Sequence, residues 1–179
     1  MKSDYKNKYG KFNGNEAEYA LRVLDSESPH NRGFPWVTEF EDKFCELSGA
    51  KYSIAVNSAT SGLHAALVAA GVGPGDEVIQ PALTVIMNSL VTIACGATPV
   101  FVDINPNTWN IDAASISKKI TPQTKAIMAV SLFGLPLDIE PIMDLAKKHN
   151  LIVIDDSAET ITGNHKGKFP GTHADMAVY

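Results

Sequence analysis

An α/β fold with a mainly parallel sheet flanked by helices is the class that this 179-residue chain predicts. Strand-like and helix-like segments alternate along it, the pattern of βα units rather than of hairpins. The strand-like runs are short, apolar and rich in β-branched residues, as strands covered on both faces are; LIVI at 151–154 is the clearest. Glycine and proline punctuate the connections, as in GVGPGDEV at 71–78.

Residues 1–33 are polar and rich in Gly and Asn, and read as an N-terminal arm with a short helix near 16–24. From Phe34 onward a helical period sets in, with Trp36, Phe40, Phe44 and Leu47 recurring at spacings of three and four. Thr38 and Glu41 have the spacing of a capping box, and Ser48-Gly49 closes the helix. Residues 52–57 read as a strand, and 59–70 as an Ala-rich helix ended by Gly71. Strand 77–80, helix 85–95, strand 98–103 and a turn at Asn105-Pro106-Asn107 follow. Then come helix 113–120, strand 124–131 and helix 139–149. The last turn of that helix carries Lys147, Lys148 and His149, where the helix dipole favours cations. Strand 151–155 leads into a Gly-rich loop or tight hairpin over 163–175, and ADMAVY at 174–179 begins another strand. That run ends without turn, cap or polar tail, so the chain is expected to be the N-terminal part of a longer protein.

Hydrophobic residues make up 45% of the chain and charged residues 20%, a balance that predicts a packed core rather than disorder. A net charge of −5 argues against non-specific nucleic-acid binding. No apolar run reaches the ~18 residues of a membrane span, and the N-terminus lacks the apolar centre of a signal peptide. Cys45 and Cys95 stand alone without metal-ligand spacing, which fits buried thiols in a reducing compartment; the cytoplasm is the expected location.

Four segments could carry chemistry. In NSATSGLHAAL, 57–67, a strand runs through small residues into a helix. Its free N–H groups and positive dipole end suit a phosphate, with Ser58, Thr60 and Ser61 as further donors; an ordinary Ser/Thr cap is the plainer reading. The segment is neither a P-loop nor a GxGxxG fingerprint, so nucleotide cofactors lose weight. Asp155 and Asp156 follow the apolar run 151–154 at the mouth of the predicted crevice, where ligands bind in such sheets. Period-two alternation sends the two to opposite faces, so only one can point at a given ligand. A carboxylate there needs a partner. One such partner is a cationic cofactor nitrogen, of which the pyridinium of pyridoxal 5′-phosphate (PLP) is an example. A helix cap and a surface charge are the alternative roles; no His or third carboxylate at local spacing supports a metal. GNHKGKFPGTHAD, 163–175, reads as a loop whose His165 and His173 are solvated, and SLFGLPLD, 131–138, as a βα turn.

The ordered set AVNSATSGLHAAL, GVGPGDEVIQPALT, GATPVFVDI, SLFGLPLDIEPIMDLAKKHNLIVIDDSAET and GKFPGTHADMAVY resembles the DegT family, from about Gly33 to Tyr179. That family consists of PLP-dependent aminotransferases that act on keto sugars attached to nucleotides. The resemblance implies the large domain of a fold-type I PLP-dependent transferase over 34–179, truncated at its C-terminal side, and a homodimer when intact. It implies transfer of an amino group from an amino acid such as glutamate to a keto nucleotide sugar, in amino sugar biosynthesis, with neither nucleic acid nor membrane as partner.

The family's phosphate-binding turn matches Ser58, Ala59 and Thr60. Its acidic pair matches Asp155-Asp156, with Asp156 placed to hold the pyridinium nitrogen protonated and Ala158 to pack on the ring. Glu159 stands where glutamine is usual, near the ring hydroxyl, and an acid there would repel a phenolate unless protonated or turned away. Val85 stands where an aromatic ring usually stacks on the cofactor, at a loss of roughly 0.5–1.5 kcal/mol. The Schiff-base lysine is expected beyond Tyr179; Lys166 and Lys168 match no catalytic position. No catalytic residue is therefore expected in this chain, and the chain alone should not turn over. In some relatives a histidine replaces that lysine and the reaction is a dehydration, so a PLP-dependent sugar dehydratase is an alternative. A non-catalytic PLP-binding fragment, or a doubly wound domain holding another phosphate at 58–60, are the others.

Overall fold

The computed structural model describes residues 14–25, 35–161 and 163–179. The expected arm falls largely outside these residues. Its helix, α1 (Glu16–Asp25), is described and has no buried residue. Arg22 lies over the Trp36 ring of α2 (Pro35–Ser48), 5.1 Å from its centroid.

Five strands form one all-parallel sheet: β1 (Glu77–Pro81), β2 (Thr98–Val102), β3 (Thr124–Val130), β4 (Ile152–Asp156) and β5 (Met176–Val178). Their order is β2-β1-β3-β4-β5. Helices α3 (Ala59–Ala69) and α4 (Met87–Ala94) cover one face, with Leu63, Leu67 and Val91 against Val78, Met128, Ile154 and Val178. Helices α5 (Ala113–Ser117) and α6 (Glu140–His149) cover the other, with Ile116, Ile142 and Ala146 against Ile79, Ile127 and Val153. Each Leu, Ile, Val or Met among them contributes roughly 1.5–3 kcal/mol on burial, which is why central strands read as continuous apolar runs. No described helix is long and apolar enough to cross a membrane.

Most expected elements stand within a few residues of their predicted limits, and three expectations need correction. Residues 52–57 are not a strand. The alternation is present, with Tyr52, Ile54 and Val56 all exposed. A strand also needs a neighbour to pair its backbone, and the Ala55 N–H is instead taken by Glu41 Oε1 at 2.7 Å. The Thr38–Glu41 capping box is absent: α2 begins at Pro35, a residue preorganised for the first helical turn, and Thr38 lies inside it. Helix α5 stops at Ser117, short of Ile120, and is capped by Asp112, whose Oδ1 accepts the Ser115 N–H at 2.8 Å.

Candidate functional site

The end of β4 sorts two acids by alternation. Val153 belongs to the core under α5 and α6, and Ile154 to the core under α3 and α4. Asp155 therefore follows Val153 to the first face, and Asp156 follows Ile154 to the second. Both are buried, at 2% and 3% exposure.

On the α3/α4 face, Asp156 Oδ2 accepts a hydrogen bond from Asn88 Nδ2 at 2.9 Å, and Oδ1 accepts the Ala158 N–H at 3.3 Å. Asn88 is fully buried in α4, and Thr84 Oγ1 donates to its Oδ1 at 2.9 Å, which fixes the direction of the amide. Ser89 and Thr92, one and four residues on, bond the buried Gln80 of β1 and so hold the rotation of α4. Burial pushes the Asp156 carboxyl above its ordinary value, against the pull of Asn88 and Ala158 toward ionisation. An acid supplied with neutral donors alone would be brought back down by a cationic N–H.

Ser58 caps α3 in extended conformation and accepts the Ser61 N–H at 3.2 Å. The first N–H groups of a helix have no partner within it, so those of Ala59 and Thr60 present the positive end of α3. Gly62, less than one turn on, is the point of contact with the sheet. A Cβ there would lie 2.9 Å from Val178 Cγ1. Val178 pairs with Asp156 in the sheet, and its carbonyl accepts the Ser157 N–H at 2.8 Å. The α3 N-terminus and Asp156 thus share one end and one face of the sheet.

Val85 precedes α4 and is half exposed. Ala158 is exposed just after β4. The Glu159 carboxylate is engaged elsewhere, accepting the Phe133 N–H at 2.7 Å and bracing the turn after β3, where Phe133 has a φ of 54°. Asn88 is absent from the sequence reading because it sits in an apolar helical run. The signal was its chemistry: an amide amid buried helix positions must be paired, and Thr84 stands one turn before it.

On the opposite face, Asp155 Oδ1 accepts from Ser157 Oγ at 2.9 Å, and burial pushes its carboxyl up to about 6. His165, expected to be solvated, is instead a partner of Glu140, Nε2 to Oε2 at 2.8 Å, because the loop folds back over the start of α6. Asp138, Glu140 and His165 come close enough to share a cation, but Lys166 Nζ already lies 2.8 and 3.0 Å from the two carboxylates and is that cation.

The sequence profile of the DegT/DnrJ/EryC1/StrS aminotransferase family matches residues 11–179. A GDP-perosamine synthase of Caulobacter vibrioides is 46% identical over 169 residues, 94% of this chain and 45% of that protein. An aminotransferase from Psychrobacter cryohalolentis superposes with a TM-score of 0.85 at 40% identity, over 90% of this chain and 41% of its own. A GDP-4-keto-6-deoxymannose-3-dehydratase with bound GDP-perosamine also reaches 0.85, at 28% identity, over 93% and 44%. Similar solved structures include PLP and PMP forms of a sugar aminotransferase. The chain therefore spans about half the length of the relatives it matches.

Proposed function

The chain belongs to the DegT/DnrJ/EryC1/StrS aminotransferase family, and from that premise we propose that it is the PLP-holding part of a sugar aminotransferase. The whole protein would move an amino group from an amino acid such as glutamate to a keto nucleotide sugar. The observation that carries this reading is Asp156: a buried carboxylate, held by a buried amide, on the same end and face of the sheet as the open N-terminus of α3.

The residues fit the cofactor. The amides of Ala59 and Thr60 and the Thr60 hydroxyl would hold its phosphate. Asp156 would hold the protonated ring nitrogen, and that pairing would relieve the cost of burying the acid. Val85 and Ala158 would bracket the ring as apolar contacts. When bound, PLP supplies an electron sink for charge that develops at a carbon attached to nitrogen. The chain's own contribution is to bind, to orient and to keep the ring nitrogen protonated. Glu159, bonded to Phe133, serves the turn after β3 instead. No lysine of this chain is assigned the Schiff-base role.

Residues 34–179 would form part of the cofactor-binding domain and 1–33 an arm. A homodimer is in keeping with the apolar stripe Ile86, Leu90 and Ile93, exposed along α4. A cytoplasmic place is in keeping with the free thiols of Cys45 and Cys95. The likeness to a dehydratase favours one second reading, with the same cofactor contacts and a different reaction. Product analysis of the longer protein on a keto nucleotide sugar and glutamate separates them, amino sugar with 2-oxoglutarate against deoxy sugar alone.

The direct test is a PLP titration of this chain by absorbance. The wild type should saturate, and Asp156→Ala should bind roughly 10- to 100-fold more weakly, as expected for loss of a charged hydrogen bond. Equal affinity of the two would end the proposal.

A further inference from the structure

Among the described residues, four that are not glycine have a left-handed backbone: Trp109, Phe133, Asn150 and Lys166. Two of them have a local reason. Asn150 closes α6, and Lys166 lies in the turn between the bridged His165 and Lys168, where it pairs with Asp138 and Glu140. The other two are bulky aromatics, for which φ values of 62° and 54° are unfavourable. These two touch each other: the ring centroids are 5.7 Å apart and the planes cross at 69°. Both rings stand in the open, Trp109 at 52% and Phe133 at 68% exposure, so core packing does not account for them. Strained residues cluster at ligand sites, where the surroundings over-determine them.

Hydrogen bonds hold the pair from below. In the loop after β2, Trp109 donates its N–H to the Asn105 carbonyl at 2.7 Å. Its neighbour Asn110 is buried and ties that loop to the turn after β3: Oδ1 accepts the Leu132 N–H at 3.0 Å, and Nδ2 donates to the Leu135 carbonyl at 2.9 Å. The Phe133 N–H goes to the carboxylate of Glu159, the residue after Ala158. The rings are therefore carried on the exits of β2, β3 and β4, at the end of the parallel sheet where Asp156 lies. Ser131, two residues before Phe133, donates its N–H to the Asp156 carbonyl at 3.0 Å.

We propose that Trp109 and Phe133 form a stacking platform for the nucleobase of the nucleotide sugar. This rests on the reading of the whole protein as acting on a keto nucleotide sugar. Two ring faces that cross steeply make a notch: a flat base lies on one ring and meets the other edge-on, the two arrangements that aromatic quadrupoles favour. Every base has a π-face to offer such a surface. The base takes no part in amino transfer, so holding it at the rim orients the sugar without obstructing the cofactor. A platform braced before the ligand arrives loses little freedom on binding.

The chain has two tryptophans, so Trp36→Phe leaves Trp109 as its only indole reporter. In that background GDP or UDP should quench the fluorescence to saturation, and pyrophosphate, which lacks a base, should not. Phe133→Gly should need about tenfold more nucleotide. Glycine suits a φ of 54°, so this variant should unfold in urea no earlier than its parent. Phe133→Leu, which keeps the apolar bulk and loses the ring, should bind as weakly as the glycine variant. Unchanged nucleotide affinity in either variant, quenching by pyrophosphate equal to that by GDP, or no saturation with either nucleotide would overturn the platform. So would quenching that follows protein concentration alone, which would assign the pair to contact between copies of the chain. Asp156→Ala should leave the nucleotide quenching as it is. PLP binding without nucleotide quenching would sink the platform alone, and nucleotide quenching without PLP binding would sink the cofactor reading alone.

Discussion

The two faces of β4 carry adjacent acids of nearly equal burial that differ in what surrounds them. On the back, Asp155 accepts from the Ser157 hydroxyl at 2.9 Å and adjoins a cavity of about 10 Å³, near the lower limit for one water. On the front, Asp156 meets one amide and one backbone N–H, beside the open end of a helix. Both acids are raised by burial. An acid in a closed space has room for a water at most, whereas an acid beside the open N-terminus of a helix has room for a ligand.

The back face should be the easier one to break. Gly171 has a φ of +82°, and a Cβ there would collide with Tyr179 Oη and with Ala177 Cβ at 2.6 Å. Left-handed strain and overpacking act together in Gly171→Val, and about 4 kcal/mol of stability should be lost, read by urea unfolding. A loss under about 1 kcal/mol would mean that the loop is not packed as described.

Acid sharpens the comparison. The folded-state value of Asp155 near 6 lies above its unfolded 3.8, so the folded chain holds that proton more tightly. Ionisation of Asp155 therefore costs stability above pH 6, and the loss is regained as the pH falls from about 6 toward about 4, by roughly 3 kcal/mol in full. Glu140, lowered chiefly by its hydrogen bond to His165, acts in the opposite sense, and only below its ordinary 4.5. The difference between wild type and Asp155→Asn isolates the Asp155 contribution, and parallel stability curves from pH 4.5 to 7 would refute it.

On the front, Asn88→Leu should cost least. It leaves one Asp156 oxygen without its donor, a loss of about 1–3 kcal/mol, and should weaken PLP binding roughly tenfold. Binding equal to the wild type would show that the Ala158 N–H alone orients the acid.

Much of this was legible in order along the chain. The runs at 77–80, 98–103, 124–131 and 151–155 announced a parallel sheet because strands covered on both faces are mostly apolar. The opposite facing of Asp155 and Asp156 followed from the period of a strand. Asn88 and the true surroundings of His165 were not legible, since their partners lie 68 and 25 residues away in sequence. The strand expected at 52–57 failed for the same kind of reason: its pattern is local, but its existence depends on a neighbour.

The sequence by itself determined the α/β class and the family resemblance, because hydrophobic period and short motifs are properties of neighbouring residues. Only the tertiary structure decided that Asn88 steadies Asp156, that Glu159 braces Phe133, and that His165 pairs with Glu140. A buried polar group takes whichever partner the packing of distant segments brings within about 3 Å, and no local pattern records that choice.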